Sequence, residues 1–434
     1  MVAIVSKQIR VNNAGNFRDD VGTDSTYLYI GRSHLWPSSD TAIATPVDTV
    51  FDKNNVHQSM IALKKVAQSD VSHSITRYNW LSGTTYVPYD DQLSTLSTSQ
   101  YYVITDELNV YKCLEAGAGA SVVKPTGQTT NAANAVESDG YVWKFMATLS
   151  GTQATKFLTN SFVPVNIITT NDGSLQYDVQ TNAQNGSIHR IKLLTGGSGY
   201  TSTPTVTVTG NGSSATAAAT VVGGVVTAIS MSNIGTGYDE ALVAVTGGGG
   251  TGATGRAIIS PPGGHGANMA DELGAFFIMC NINLDSAEGS GDFPIDNDFR
   301  QLGLLRNPFN FGTTTKATAS TLQATRNLVY GSLAGGSFAP DEIITGGTSG
   351  AKAYITSIDT GTSTIRYHQD ATTGYGVFQS SETISNPGAV TAVISSLGNP
   401  EVEKFSGEVL YIENRSAVAR ANSQIEDIKL VLEF

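Results

Sequence analysis

The chain carries little charge. Asp, Glu, Lys and Arg make up 14% of its 434 residues, against about 25% in a typical soluble domain. Basic residues are the scarcer sign: 25 Lys and Arg stand against 37 Asp and Glu, a formal net charge of −12. No basic run is longer than Lys64-Lys65. Such a chain has no electrostatic reason to seek a phosphate backbone or an anionic lipid surface, so no nucleic-acid partner is expected. Cysteine is nearly absent. Cys113 and Cys280 are the only two and form no CxxC pair, which excludes a zinc ribbon. Both fall in apolar, strand-like runs and read as reduced core thiols in a reducing compartment. No apolar stretch approaches the ~18 residues of a membrane-spanning helix, so no membrane insertion is expected. The first residues, Met1 to Lys7, lack a long apolar segment beside their positive charge, which argues against a signal peptide. The protein is therefore expected to be synthesised in a cytoplasm and to stay or assemble there.

What the chain does have is glycine, 46 residues of it, with much Thr, Ser and Val. That is the composition of sheet and turn rather than helix. The length suggests two or three units and is ample for a large core. Residues 1–185 are the most aromatic part. There Tyr141, Trp143, Phe145 and Ala147 alternate with Val142, Lys144, Met146 and Thr148 behind an Asp139-Gly140 turn signal. The period of two predicts a strand with one aromatic face. It holds no nucleophile, base or ligand cluster, and reads as a surface-building strand. Thr26 to Arg32 also alternates as a strand. Residues Asn54 to Gln68 are the best helix candidate, with Val56, Met60, Leu63 and Ala67 on one stripe and Asn54 or Asn55 as cap. Val71 to Trp80 and Thr84 to Tyr89 read as strands around Ser82-Gly83. Tyr101 to Thr105 and Asn109 to Leu114 read as a hairpin around Asp106-Glu107. Lys124 to Asn134 reads as a loop.

Composition shifts near residue 186. Between 186 and 262 the chain is Gly, Thr, Val, Ser and Ala, with an internal repeat. Gly197-Ser-Gly199-Tyr200 leads into Pro204 to Gly210, and Gly235-Thr-Gly237-Tyr238 leads into Leu242 to Gly247. Val221 to Val226 reads as a hairpin on Gly223-Gly224. Repeated β units of this kind can pack into one small module. A second biased stretch covers 331–398, where Glu342-Ile-Ile-Thr-Gly346 is echoed by Glu382-Thr-Ile-Ser-Asn386. Between the two, the apolar run Glu272 to Leu284 reads as a central strand buried on both faces. The C-terminus closes with strands at 408–415 and 428–434.

Motifs with chemical meaning are weak. A literal GxGxxG stands at Gly250, Gly252 and Gly255. A dinucleotide site needs a helix after it, but Pro261-Pro262 closes the segment too soon, and a turn is the better reading. The histidines, at 34, 57, 73, 189, 265 and 368, show no metal-ligand spacing and read as isolated core or surface residues. His265, within Gly263-Gly264-His265-Gly266, reads as a hinge between insert and core. No GxSxG elbow or Cys–His signature occurs. Asp90-Asp91, Asp296/Asp298 and Asp341-Glu342 are local carboxylate pairs that read as solvated turns, since a glycosidase pair must face across a cleft. Trp36, Trp80 and Trp143 could line a sugar groove but sit in segments that read as core or interface. No catalytic, cofactor-binding or metal-binding residue is assigned.

Many short segments, in order, resemble one family. These are Tyr29-Ile30-Gly31-Arg32 with Trp36-Pro37, Met60 to Val66 with Asp70-Val71, and Arg77 to Trp80 with Ser82 to Tyr86. Further on come Val110 to Leu114, Lys124 to Gly127, the Tyr141 to Thr148 strand, Asp298 to Gly303, and Ser406 to Phe434. Together they resemble the baseplate wedge subunit of T-even-type contractile-tailed bacteriophages, the eighth gene product family. The resemblance covers about 1–185, 265–330 and 399–434, and leaves out the two Gly-rich stretches. It implies a virion structural protein without catalysis, located in the tail baseplate, present as a homodimer and bound to other baseplate wedge proteins. It also implies a β-sandwich core with helix-bearing loops. The expected fold is therefore mainly β: a multi-sheet β-sandwich core in the segments 1–185, 263–330 and 399–434, interrupted by small β modules at 186–262 and 331–398. The alternative function is a tail-associated protein that binds or depolymerises glycans.

Overall fold

The computed structural model describes residues 3–37, 39–131, 135–285, 292–295, 297–421 and 424–434. The fold is mainly β, with 43% of residues in strands and 12% in helices, and it contains several sheets. The chain forms two compact units. One comprises 1–16, 72–279 and 431–434; the other comprises 17–71 and 280–430.

In the first unit, Tyr102–Ile104, Asn109–Glu115, Val142–Thr148 and Ala135–Val136 form one antiparallel sheet in that order. The hairpin around Asp106-Glu107 is present as expected. The aromatic strand is not a surface strand. Tyr141, Trp143 and Phe145 are buried on one face, and Lys144 and Met146 are buried on the other. Trp143 stacks on Tyr141 at 5.8 Å and meets the edge of Tyr86 at 5.4 Å. Tyr86 itself lies in an irregular segment, so the strand expected over Thr84–Tyr89 does not form. Its ring still fills the core next to Cys113 and Val179. The run beginning at Glu272 is not one continuous strand. Met269–Leu273 is a short helix capped by Asn268, and Gly274 ends it in the left-handed region (φ 75°). The strand Phe277–Asp285 follows.

The β-repeat stretch lies in this first unit. Val225–Thr236, Ser213–Val222, Thr205–Gly210 and Ala241–Thr246 form one sheet, and Thr251–Ile259 pairs with Ile188–Ser198 in another. Both sheets cover a small core that includes Tyr200 and Tyr238. The GxGY repeat has a physical basis in the packing of its tyrosines. The Tyr200 hydroxyl accepts from the Ala253 amide at 3.2 Å, and the Tyr238 hydroxyl accepts from the Ala215 amide at 3.4 Å. Each ring is covered by a glycine. A Cβ on Gly250 would lie 2.5 Å from Tyr200 Cγ, and one on Gly212 would lie 2.4 Å from Tyr238 Cγ. Gly250 of the GxGxxG match is thus the lid of an aromatic ring. Gly252 and Gly255 lie within the Thr251–Ile259 strand rather than in a turn.

In the second unit, one sheet has the order Thr321–Gln323, Met60–Lys65, Thr26–Gly31, Asp298–Arg306, Glu408–Ala419. The helix expected over 54–68 is shorter and earlier. Val50–Ser59 is helical, and its cap is Thr49, whose hydroxyl accepts from the Asp52 amide at 3.1 Å. Met60–Lys65 is a strand, with Tyr29 opposite Leu63. The reason is burial: Met60, Ile61, Ala62 and Leu63 are all buried, which a sheet covered on both faces provides and one helix stripe does not. A helix at Lys7–Thr23 was not expected. Of its apolar residues only Val11, Ala14 and Val21 are buried, too thin a stripe to signal a helix by periodicity.

Arg326–Ala334, Thr364–His368, Lys352–Asp359, Ile343–Gly346, Thr383–Ser385 and Thr391–Gly398 close into a barrel in that order. Its first strand starts before the compositional shift at 331. The Glu342/Glu382 echo has a structural basis. Glu342 accepts from the Ala339 amide at 3.0 Å, and Glu382 accepts from the Gln379 amide at 2.6 Å. The carbonyls repeat the device, receiving the Ile355 and Ile394 amides, each at 2.9 Å. Barrel closure removes the free sheet edges.

The glycine lids give a direct test. Gly250→Ala should lower unfolding stability by about 1–3 kcal/mol, because the new methyl overlaps the Tyr200 ring and the strand backbone. Denaturant titration of the purified protein reads this as a lower midpoint with an unchanged slope. An unchanged midpoint contradicts the close-approach account.

Candidate functional site

One group of ionisable side chains in the first unit is deeply buried. Lys112 and Lys144 sit directly opposite each other on paired strands, an arrangement that like charges disfavour. Compensation comes from Glu272. Lys112 Nζ donates to Glu272 Oε2 at 2.6 Å, with side chains 1% and 2% exposed. The other carboxylate oxygen, Oε1, accepts from the Gly266 amide at 2.7 Å and the Asn268 amide at 3.3 Å. His265 Nδ1 lies 3.0 Å from Lys112 Nζ, and its ring meets Tyr89 and His189 edge-on. Lys112 Nζ also lies 4.2 Å over the Tyr89 ring. The Glu272 carbonyl accepts from Tyr101 Oη at 2.7 Å and Lys7 Nζ at 3.1 Å. Lys144 Nζ donates to the Asn131 carbonyl at 2.7 Å.

Burial sets the protonation of this group. It lowers Lys112, with Glu272 opposing. It holds His265 well below the usual imidazole range, helped by Lys112. It takes Lys144 down to about 8 and His189 to about 4. His265 is therefore neutral; its Nδ1 accepts from Lys112, which leaves the proton on Nε2. The loop read as a hinge carries His265 as a buried side chain.

The local carboxylate pairs are also tied down. Asp90 is buried and accepts from Arg256 and from Lys192 at 3.3 Å, while Asp91 pairs with Arg256 at 2.6 Å. Arg190 adds a bond to the Tyr89 carbonyl at 3.0 Å. These contacts fasten the repeat strands to the segment 89–91, so the pair is not a solvated turn. Asp296 lies outside the described residues. Asp298 meets Arg300 at 3.2 Å, and Arg300 also holds Asp40 at 2.8 Å. Burial raises Asp341. Its neighbour Glu342 bonds Asn386 Nδ2 at 2.8 Å as well as the Ala339 amide.

Two histidines far apart in sequence meet in the second unit. His34 Nδ1 lies 3.0 Å from His368 Nε2, and His34 Nε2 lies 3.3 Å from Asp370 Oδ2. His368 Nδ1 lies 3.2 Å from Thr356 Oγ1. The His34 ring stacks on Tyr354 at 4.6 Å. Burial, then the Arg32 charge, lowers His34 to about 4; burial, then His34, puts His368 well below its usual range. Both rings are neutral, and one tautomer set satisfies the chain. His34 Nε2–H donates to Asp370, His368 Nε2–H donates to His34 Nδ1, and Thr356 donates to His368 Nδ1. Of the remaining histidines, His73 Nδ1 meets the Ala275 carbonyl at 2.9 Å, and His57 packs on Phe405. Among the described residues, no group of three or more His, Cys, Asp or Glu is arranged to hold a metal ion.

Trp143 and Trp36 are buried, with Trp36 Nε1 donating to the Arg415 carbonyl at 2.9 Å; Trp80 is half-buried and donates to Ser121 at 3.2 Å. Both cysteines are buried thiols, pushed up to about 12 by burial. Sequence reasoning passed over Lys112, Lys144 and Glu272. The signal was present: Lys112 and Lys144 each stand in the middle of an apolar strand pattern, where a charge is costly unless paired. No family model matches the chain, and no curated protein matches it.

Two outcomes follow for these groups. The His34–His368 pair is neutral in the fold and protonated in the unfolded chain below its ordinary pKa of 6.5. Its stability is whole above about 6.5 and is lost as pH falls toward about 4. Urea midpoints should fall between pH 7 and pH 5, and His34→Asn should narrow that fall; an equal fall in the variant contradicts the assignment. Asp90 behaves in the same sense at lower pH. Burial alone would raise its carboxyl, but the Gln92 amide, Arg256 and Lys192 outweigh burial and lower it. Stability from Asp90 is present above the unfolded carboxyl pKa and lost as pH falls through the folded one. Asp90→Asn should flatten the acid limb of a stability–pH curve below pH 4, and an unchanged limb counts against the ion pair.

Proposed function

We propose that the chain is a non-enzymatic structural subunit of a contractile phage tail, a baseplate wedge protein that forms a homodimer and holds neighbouring baseplate proteins through broad surfaces. The ordered run of family-like segments supports this reading. So does the use of the chain's ionisable groups: the candidate carboxylates are engaged in ion pairs and backbone amides that fasten segments together. The observation that carries it is on the surface of the second unit. Ile43, Val47, Val50 and Phe51 are 40%, 55%, 77% and 67% exposed. Val47 also lines a groove of about 290 Å³, together with Pro46, Asp48, Lys53 and the strand residues Val409 to Ile412. Contiguous apolar side chains that face water mark a protein contact surface, and Val50 and Phe51 are adjacent and both largely exposed. The virion, built in the host cytoplasm, is where such a surface is covered.

Light scattering on the purified chain at micromolar concentration should give a dimer, without added metal or nucleotide; a monomer overturns the dimer reading. Val50→Asp combined with Phe51→Asp should leave the unfolding stability within about 0.5 kcal/mol, as exposed substitutions do, while reducing incorporation into tails. Incorporation equal to that of the parent chain removes the weight of the apolar surface.

A further inference from the structure

We propose that Lys112 and Glu272 become joined by an intramolecular amide cross-link, formed by the folded chain itself. The inference stands apart from the wedge reading and holds or fails without it.

The geometry supplies each part of an acyl-transfer site. The nucleophile is Lys112 Nζ, 2.6 Å from Glu272 Oε2 and sealed from water with it. The acyl group is the Glu272 carboxyl. Its Oε1 is aimed at two backbone amides, Gly266 N at 2.7 Å and Asn268 N at 3.3 Å. Paired backbone donors of this kind stabilise the oxyanion of a tetrahedral intermediate. The base is His265, whose Nδ1 is 3.0 Å from Nζ and 4.0 Å from Oε2. It is placed to carry a proton between the two. The other lysines are directed elsewhere: Lys7 to the Glu272 carbonyl and Lys144 to the Asn131 carbonyl. Neither competes for the carboxyl carbon.

The step balances without any added reagent. The ammonium of Lys112 passes one proton to Glu272 Oε2, which leaves a neutral amine and a neutral acid. Burial favours that exchange, because it lowers the lysine and removes two charges from a water-poor site. The Nζ lone pair attacks Cδ, and the C=O pair moves onto Oε1 between the two amides. His265 Nδ1 takes a second proton from Nζ and delivers it to the hydroxyl at Oε2. The Cδ–Oε2 bond breaks and water leaves. Nζ keeps one hydrogen. Ammonium plus carboxylate has become amide plus water, and His265 is neutral again. Fixed contact between the reacting groups supplies the effective concentration that condensation in water lacks.

The bond would span 160 residues of sequence. It would enclose the whole β-repeat stretch and lock its returning end to the core strand Asn109–Glu115. Closing a loop of that length constrains the unfolded chain strongly.

Mass spectrometry of the full chain decides the matter. The folded protein should be lighter than its sequence mass by one water, and a protease digest should contain one branched peptide joining Lys112 to Glu272. Lys112→Arg keeps the charge pair and should return the full sequence mass. His265→Ala should slow the loss of water after refolding. A wild-type chain at full sequence mass shows an ion pair only and overturns the proposal, whether or not the variants fold. A lighter chain without the branched peptide, as from dehydration at Asp172-Gly173, overturns it equally.

Discussion

The fold of the first unit depends on one buried pair, Lys112 with Glu272. Two lysines face each other across the strands Asn109–Glu115 and Val142–Thr148, on the buried face opposite the Tyr, Trp and Phe side chains. Without a counter-charge that face could not close, because an unpaired buried ammonium costs several kcal/mol. The counter-charge comes from a short helix that the chain reaches only after passing through the whole β-repeat stretch. The return path is fixed at that point. Gly266 packs on Val179, where no Cβ would fit. The Glu272 backbone also receives Tyr101 and Lys7. A long, nearly uncharged excursion is thus pinned at its far end by one charge pair, and close to its strands by Asp90, Asp91 and Arg256.

The two Gly-rich stretches meet the problem of a small core in different ways. Between 186 and 262 a ring and a lid are used twice: Tyr200 under Gly250, and Tyr238 under Gly212. One tyrosine then contributes both the apolar volume and the acceptor for a backbone amide. Between 326 and 398 the strands close on themselves, and Glu342 and Glu382 turn inward to satisfy loop amides. Both solutions rely on local hydrogen bonds rather than on a large apolar core. This explains how the chain tolerates so low a content of charge and so high a content of glycine.

Alternation and turn chemistry made much of this legible in the sequence. The hairpin at Asp106-Glu107, the Gly223-Gly224 turn and the strands at 26–31, 205–210 and 241–246 follow from patterns of period two and from glycine. The errors have physical causes. Met60 to Leu63 fits a helix stripe if Val56 and Ala67 are counted with it, but burial on both faces selects a strand. The Lys7–Thr23 helix buries too few apolar residues to leave a period. The carboxylates and histidines read as solvated or isolated because their partners are distant in sequence. Asp90 finds Arg256, His34 finds His368, and Lys112 finds Glu272. No spacing rule reaches that far. The lysines inside the apolar strands were the one local clue to the buried group.

As a proposed building block, the chain uses its ionisable groups to fasten segments and offers exposed apolar side chains to neighbours. The central claim concerns its place. The most direct measurement is a cryo-electron microscopy map of the intact tail at a resolution that traces side chains. The account predicts that Trp143, Tyr141 and the barrel over 326–398 can be fitted into wedge density of the baseplate, with Val50 and Phe51 covered by a neighbouring chain. Density for this chain confined to fibre tips, with those side chains in solvent, or its absence from the particle, would contradict it.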